Sequence, residues 1–148
     1  MLLLIRSWLV NSFWAVQTLS PNGQAWARRG AWIWGLTLLV ACLFPSKEIP
    51  KVDVPFADKW VHFVLFGGQT LLALASLKTL DRKSILRVAV GCILFGVAIE
   101  VLQGITHPWL HRAFEVMDMI ADAVGVLIGV LLFVLAQKIF FKKPFPNS

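Results

Sequence analysis

Hydrophobic positions gather into four long runs, from about Ala31 to Pro45, Trp60 to Leu77, Ile85 to Ile105 and Val116 to Gln137. Each approaches the roughly 17 to 25 apolar residues that a bilayer-crossing helix needs. The first run is the shortest. Arg28 and Arg29 ahead of it can snorkel to the surface and Trp32 and Trp34 suit an interfacial belt, so it is read as a span with the others. The opening stretch, "MLLLIRSWLVNSFWAVQTLS", is interrupted by Arg6, Asn11 and Gln17 and has no small-x-small cleavage site. It reads as an amphipathic helix lying on the membrane with Trp8 and Trp14 at the interface, a fifth span being the alternative. The pattern therefore predicts an all-α protein, a transmembrane bundle of four helices preceded by an N-terminal amphipathic helix. Its expected parts are an amphipathic segment 1–25, a helical domain 26–141 and a cytoplasmic tail 142–148.

Composition fixes the solvent in which that bundle lives. Of 148 residues 58% are hydrophobic and 15% charged, and the mean hydropathy is +0.76, too little polar surface to coat a soluble globule. Lysine and arginine cluster before the first run (Arg28, Arg29), between the second and third (Lys78, Arg82, Lys83, Arg87) and at the tail (Lys138, Lys142, Lys143). By the positive-inside rule both termini are cytoplasmic. Every acid except Asp81 then falls on the outward side: Glu48, Asp53, Asp58, Glu100, Glu115, Asp118 and Asp122. The net charge of +6 is an orientation and lipid-contact signal, with no nucleic-acid footprint. Cys42 and Cys92 sit inside runs without metal spacing and read as packing residues.

Ionisable residues inside the runs carry the candidate chemistry. At about 100 degrees per residue, with Asp118 at zero, Asp122 lies near +40, Glu115 near +60, Gly125 near −20 and Gly129 near +20 degrees. All five share one face, and the GxxxG of Gly125 and Gly129 admits a close neighbouring helix. A carboxylate in hydrocarbon costs at least about 2.5 kcal/mol, so the acids should face protein. The third run places Gly96, Glu100 and Gln103 together with Cys92 alongside, and Glu100 lies about one and a half turns from its outward end. The second run aligns Asp58, His62 and Gln69, with Lys59 to one side. Arg112, in the loop between the last two runs, is a permanent cation able to fork onto carboxylate or phosphate. These faces are expected to converge into one polar pocket open to the outer leaflet, made by Asp58, Lys59, His62, Glu100, Gln103, Arg112, Glu115, Asp118 and Asp122. Simpler roles exist for some of them: Asp58 as a helix cap, Lys59 as a snorkelling anchor, Glu115 and Asp118 as complements to a helix dipole. Glu100 has no such role at the far end of its helix. His107 and His111 have metal-like spacing, but Pro108 disfavours a helix there. No metal or cofactor is assigned, although His62 with Glu100 and Asp118 or Asp122 is a donor set that suits zinc or manganese.

"DKWVHF" (Asp58 to Phe63), "EVLQG" (Glu100 to Gly104) and "RAFEVMDMIADAVGVLIG" (Arg112 to Gly129) resemble, in order and spacing, the motifs of the VanZ-like family of small integral membrane proteins. The likeness covers roughly Phe44 to Phe133. Two departures stand out: Phe66 replaces the Tyr common one turn after the His, and Asp122 and Glu115 stand where Asn and Asp are usual. The resemblance implies a multi-pass protein of the bacterial cytoplasmic (inner) membrane, and the family takes its name from a protein that lowers susceptibility to the glycopeptide teicoplanin. It points to binding of a cell-envelope lipid, a lipid-linked wall precursor or a glycopeptide antibiotic. The alternative is an intramembrane hydrolase or transferase on a lipid-linked substrate, with His62 or Glu100 as general base, Arg112 stabilising the anion and Asp118 orienting the base. No GxSxG-type nucleophile motif is present. A homo-oligomer is compatible with either reading.

Overall fold

The structure is a computed structural model that describes residues 18–48 and 54–140. Most of the amphipathic segment 1–25 and the tail 142–148 therefore lie outside the described residues. Within them, all regular structure is helical: α1 (Pro21–Leu43), a 3-10 turn (Ser46–Glu48), α2 (Ala57–Ala75), α3 (Arg82–Leu110) and α4 (Val116–Phe140).

Local chemistry sets the boundaries. Helix α1 begins at Pro21, earlier than the hydrophobic run suggests and inside the segment 1–25, because Ser20 caps it by accepting from the Gly23 N–H and Pro21 brings a helical φ without needing a hydrogen bond. Asp81 starts α3 in the same way, its side chain accepting from the Ser84 N–H at 2.6 Å. Helix α3 then overruns its expected end. It continues through Pro108 to Leu110, because a proline in the last turn of a helix forfeits a single internal hydrogen bond and nothing follows that must propagate. His111 closes it in the left-handed region, φ 55°, with its N–H bonded to His107 O.

Helices α2 and α4 make the most extensive contact in the bundle, with α1 against α2 and α4 against α3 flanking them. Glycine makes that approach possible. A Cβ on Gly125 would collide with the Phe63 backbone carbonyl, and one on Gly129 would meet Gly67 O at 2.8 Å. Apolar side chains surround this seam in two clusters, one on Leu38, Phe66, Ile99 and Val126, the other on Leu74, Leu80, Ile85 and Phe133. Trp34 belongs to this interior and not to an interfacial belt: its indole N–H donates to Leu65 O at 2.9 Å and its ring lies where Gly68 has no side chain. Trp32, by contrast, is 78% exposed.

Among the described residues two helices, α3 and α4, are long and apolar enough to cross a membrane. Large apolar side chains nevertheless face outward on all four, among them Ile33 and Leu36 on α1, Val61 and Val64 on α2, Leu94 on α3 and Leu127 on α4.

Candidate functional site

The polar residues of α2, α3 and α4 meet at one end of the bundle in a layered cluster. Its inner layer is His62 from α2, Glu100 from α3, and Asp118 and Asp122 from α4, all buried. His62 lies at its centre. Its Nδ1 stands 2.9 Å from Asp122 Oδ1 and 4.0 Å from Glu100 Oε1, while Nε2 stands 3.9 Å from Asp118 Oδ2. In the neutral tautomer that donates its Nδ1 hydrogen to Asp122, Nε2 is the lone-pair nitrogen. Gly96 makes room for this arrangement, since a Cβ there would press on Asp122 Oδ2 at 2.7 Å.

The outer layer is an ion network centred on Lys59. Its ammonium lies within 2.9 Å of Asp118 Oδ1, 2.7 Å of Glu115 Oε2 and 2.5 Å of Asp58 Oδ2. Asp58 and Glu115 are about half exposed and Asp118 is buried, so Lys59 connects the surface to the interior.

Residues 111–115 explain how Glu100 joins a cluster at the start of α4. The segment turns back along the end of α3, with Arg112 O accepting from His107 Nδ1 at 2.6 Å and Phe114 packed on Gly104. The Glu115 N–H then reaches Glu100 Oε2 at 2.9 Å. Glu100 is thus ten residues from the end of its helix, far deeper in sequence than one and a half turns, and the returning chain supplies its hydrogen bond.

Several expected site residues take other positions. Glu115 precedes α4 instead of standing on its face; its backbone holds Glu100 and its carboxylate faces Lys59. Arg112 forks onto carbonyls at the end of α1, with Nε 3.0 Å from Phe44 O and Nη2 3.5 Å from Ala41 O, and so caps that helix. Gln103 likewise donates to Cys42 O at 2.7 Å. Gln69 lies two turns beyond His62 and meets Gly35 on α1. The inner acids gather around His62, their oxygens 2.9 to 4.0 Å from its ring nitrogens.

Two cavities flank the cluster. One, of about 410 Å³, is an apolar groove between α2 and α4 lined by Phe56, Trp60, Phe63, Val124 and Ile128, with Lys59 at its polar edge. The other, of about 620 Å³, lies among α1, α2 and α3 towards the opposite end, lined largely by apolar residues such as Trp32, Leu36 and Phe95, with Arg28 and Gln69 among its polar lining.

Sequence reasoning missed Cys42. Its buried Sγ lies 3.9 Å from His62 Nε2, placing the last turn of α1 against the cluster. No charged residue follows Arg29 in α1 to mark which face turns inward, whereas the ionisable residues of the other helices marked theirs.

No curated protein and no solved structure matches the chain. A family model, VanZ/LLP1, matches residues 4–137 and so takes in all three motifs and every residue of the cluster. This chain belongs to the VanZ/LLP1 family.

Proposed function

We propose that the protein is a multi-pass protein of the bacterial cytoplasmic membrane whose four helices all cross the bilayer with both termini inside, and that it binds an amphiphile of the cell envelope at its acid-rich end. Support for four crossings comes from the outward apolar side chains of α1 and α2, whose hydropathy is lowered by polar residues such as His62 and Gln24 that turn into the protein. Orientation rests on the lysine and arginine pattern.

The observation that carries the binding reading is the groove of Phe56, Trp60, Phe63, Val124 and Ile128 opening beside Lys59, Asp58 and Glu115. Such a site suits a hydrocarbon chain along the helices and a polar headgroup at the rim. Three carboxylates share the single Lys59 ammonium, so the rim favours amines and hydroxyls, as on a lipid-linked wall precursor, an aminated lipid or a glycopeptide. Arg112 spends Nε and Nη2 on α1 carbonyls, so the headgroup reading rests on the rim of Lys59, Asp58 and Glu115.

Lipid mass spectrometry of detergent-purified protein tests this. An amphiphile should copurify with the wild type and fall by roughly tenfold in Glu115→Gln, the loss of about one charge-assisted hydrogen bond. Equal lipid content in wild type, Glu115→Gln and a groove-filling Val124→Trp would overturn it.

The reading as a hydrolase or transferase is favoured by one arrangement, the Asp122–His62 pair that fixes the imidazole with Nε2 free to take a proton. Turnover of a lipid-linked substrate, lost in His62→Gln, is its signature.

A further inference from the structure

We propose that His62, Glu100 and Asp118 bind one divalent first-row cation of the manganese or zinc type, with Asp122 holding the imidazole in place. The three residues each present a donor atom, and these atoms all lie within 4.8 Å of one another. An ion bound at about 2.0 to 2.2 Å separates its donors by roughly 3 to 4.4 Å, so side-chain adjustment alone brings this set to bonding distance. One imidazole nitrogen with carboxylate oxygens suits zinc or manganese better than calcium, which takes oxygen throughout.

Each member keeps the atom a cation needs. Glu100 is fully buried; Oε2 accepts from the Glu115 N–H, while Oε1 has no hydrogen-bond partner among the described residues. Asp118 uses Oδ1 for Lys59 and turns Oδ2 towards His62 Nε2. Asp122 Oδ1 stands 2.9 Å from His62 Nδ1, the placement of the carboxylate that supports a metal-bound imidazole. Asp122 Oδ2 is likewise buried without a partner.

Charge points the same way. Glu100, Asp118 and Asp122 enclose three carboxylates, and the nearest lysine, Lys59, is shared with Asp58 and Glu115. Uncompensated buried carboxylates are expensive, and a divalent ion would neutralise two at a single point. Protons are the competing occupant. A second set of acids, Asp58, Glu115 and Asp118, also lies within reach of a common ion, but Lys59 already occupies its centre and two of the three are exposed.

The test uses full-length protein in detergent, stripped with EDTA and re-equilibrated with MnCl2 or, separately, ZnCl2. Metal analysis after desalting should find about one ion per chain, and bound Mn2+ should show electron-spin-echo modulation from a directly coordinated 14N. Retention should fall at least about tenfold in Glu100→Gln and in His62→Gln and persist in the double variant Asp58→Asn, Glu115→Gln. Folded wild-type protein that retains neither metal leaves protons as the occupant and overturns the proposal. So does a retained Mn2+ without 14N coupling, or an ion lost from the double variant and kept in Glu100→Gln, which would belong at the rim. The spin-echo readout needs only wild type, so it decides even where a variant fails to fold. Because no lipid enters the assay, the ion and amphiphile readings fail separately.

Discussion

The two ends of this bundle meet the same problem, filling the space between helices, with opposite materials. Around His62 the helices close on glycine, and three buried carboxylates stand 2.9 to 4.0 Å from the imidazole nitrogens. Around Gln69 and Gly91 they part, and a cavity of about 620 Å³ remains, lined mainly by Trp32, Leu36, Phe95 and other apolar groups. The contrast teaches that close approach is concentrated where polar groups need partners. In lipid, helix association draws little from the hydrophobic effect, so backbone contact and polar pairing must supply the attraction. The open end is held by fewer such contacts and has room to spare.

Substitutions of glycine break the contrast most directly. Gly125→Ala should have the largest effect, because its Cβ meets the Phe63 carbonyl, a backbone atom that cannot rotate away. A loss of about 3 kcal/mol or more is expected, read as a steep fall in folded yield and melting temperature in detergent. Gly91→Ala at the open end should do the reverse. Nothing lies within 4 Å of its added Cβ, so the gain in helix propensity, up to about 1 kcal/mol, should raise the melting temperature slightly. Equal losses at both positions would show that the two ends are packed alike.

The smallest effect is a dependence on pH at the open end. The Ser84 N–H holds the Asp81 carboxyl below its ordinary range, with the nearby Ser84 side chain acting the same way. A depressed folded pKa contributes stability that is present above the unfolded value of about 3.9 and is lost as pH falls through the folded one. Acid titration of the melting temperature should therefore show a small step below about pH 4 that is absent in Asp81→Asn, which keeps a capping side chain but cannot titrate.

Helix number and the membership of the cluster were legible because apolar runs and polar faces leave periodic traces. His62, Glu100, Asp118 and Asp122 could be aligned by rotation alone. What rotation cannot show is how far along its axis each helix is docked. The hydrophobic run ends at Ile105 and so put Glu100 about one and a half turns from the outward end, whereas the helix runs on to Leu110 and the following chain folds back. The partners of Arg112 were hidden for a related reason, since sequence shows its charge but not the carbonyls at the end of α1. Cys42 was illegible because no charged residue follows Arg29 in its helix to mark the inward face.

The return of residues 111–115 also acts as a ruler. The hydrogen bond from the Glu115 N–H to Glu100 fixes where α4 begins, and from there Asp118 and Asp122 reach His62 in consecutive turns. An inserted residue taken up by α4 with the span of the connection unchanged would swing both aspartates about 100 degrees around the axis. The span of this short connection is thus as much a part of the centre as the side chains it aligns.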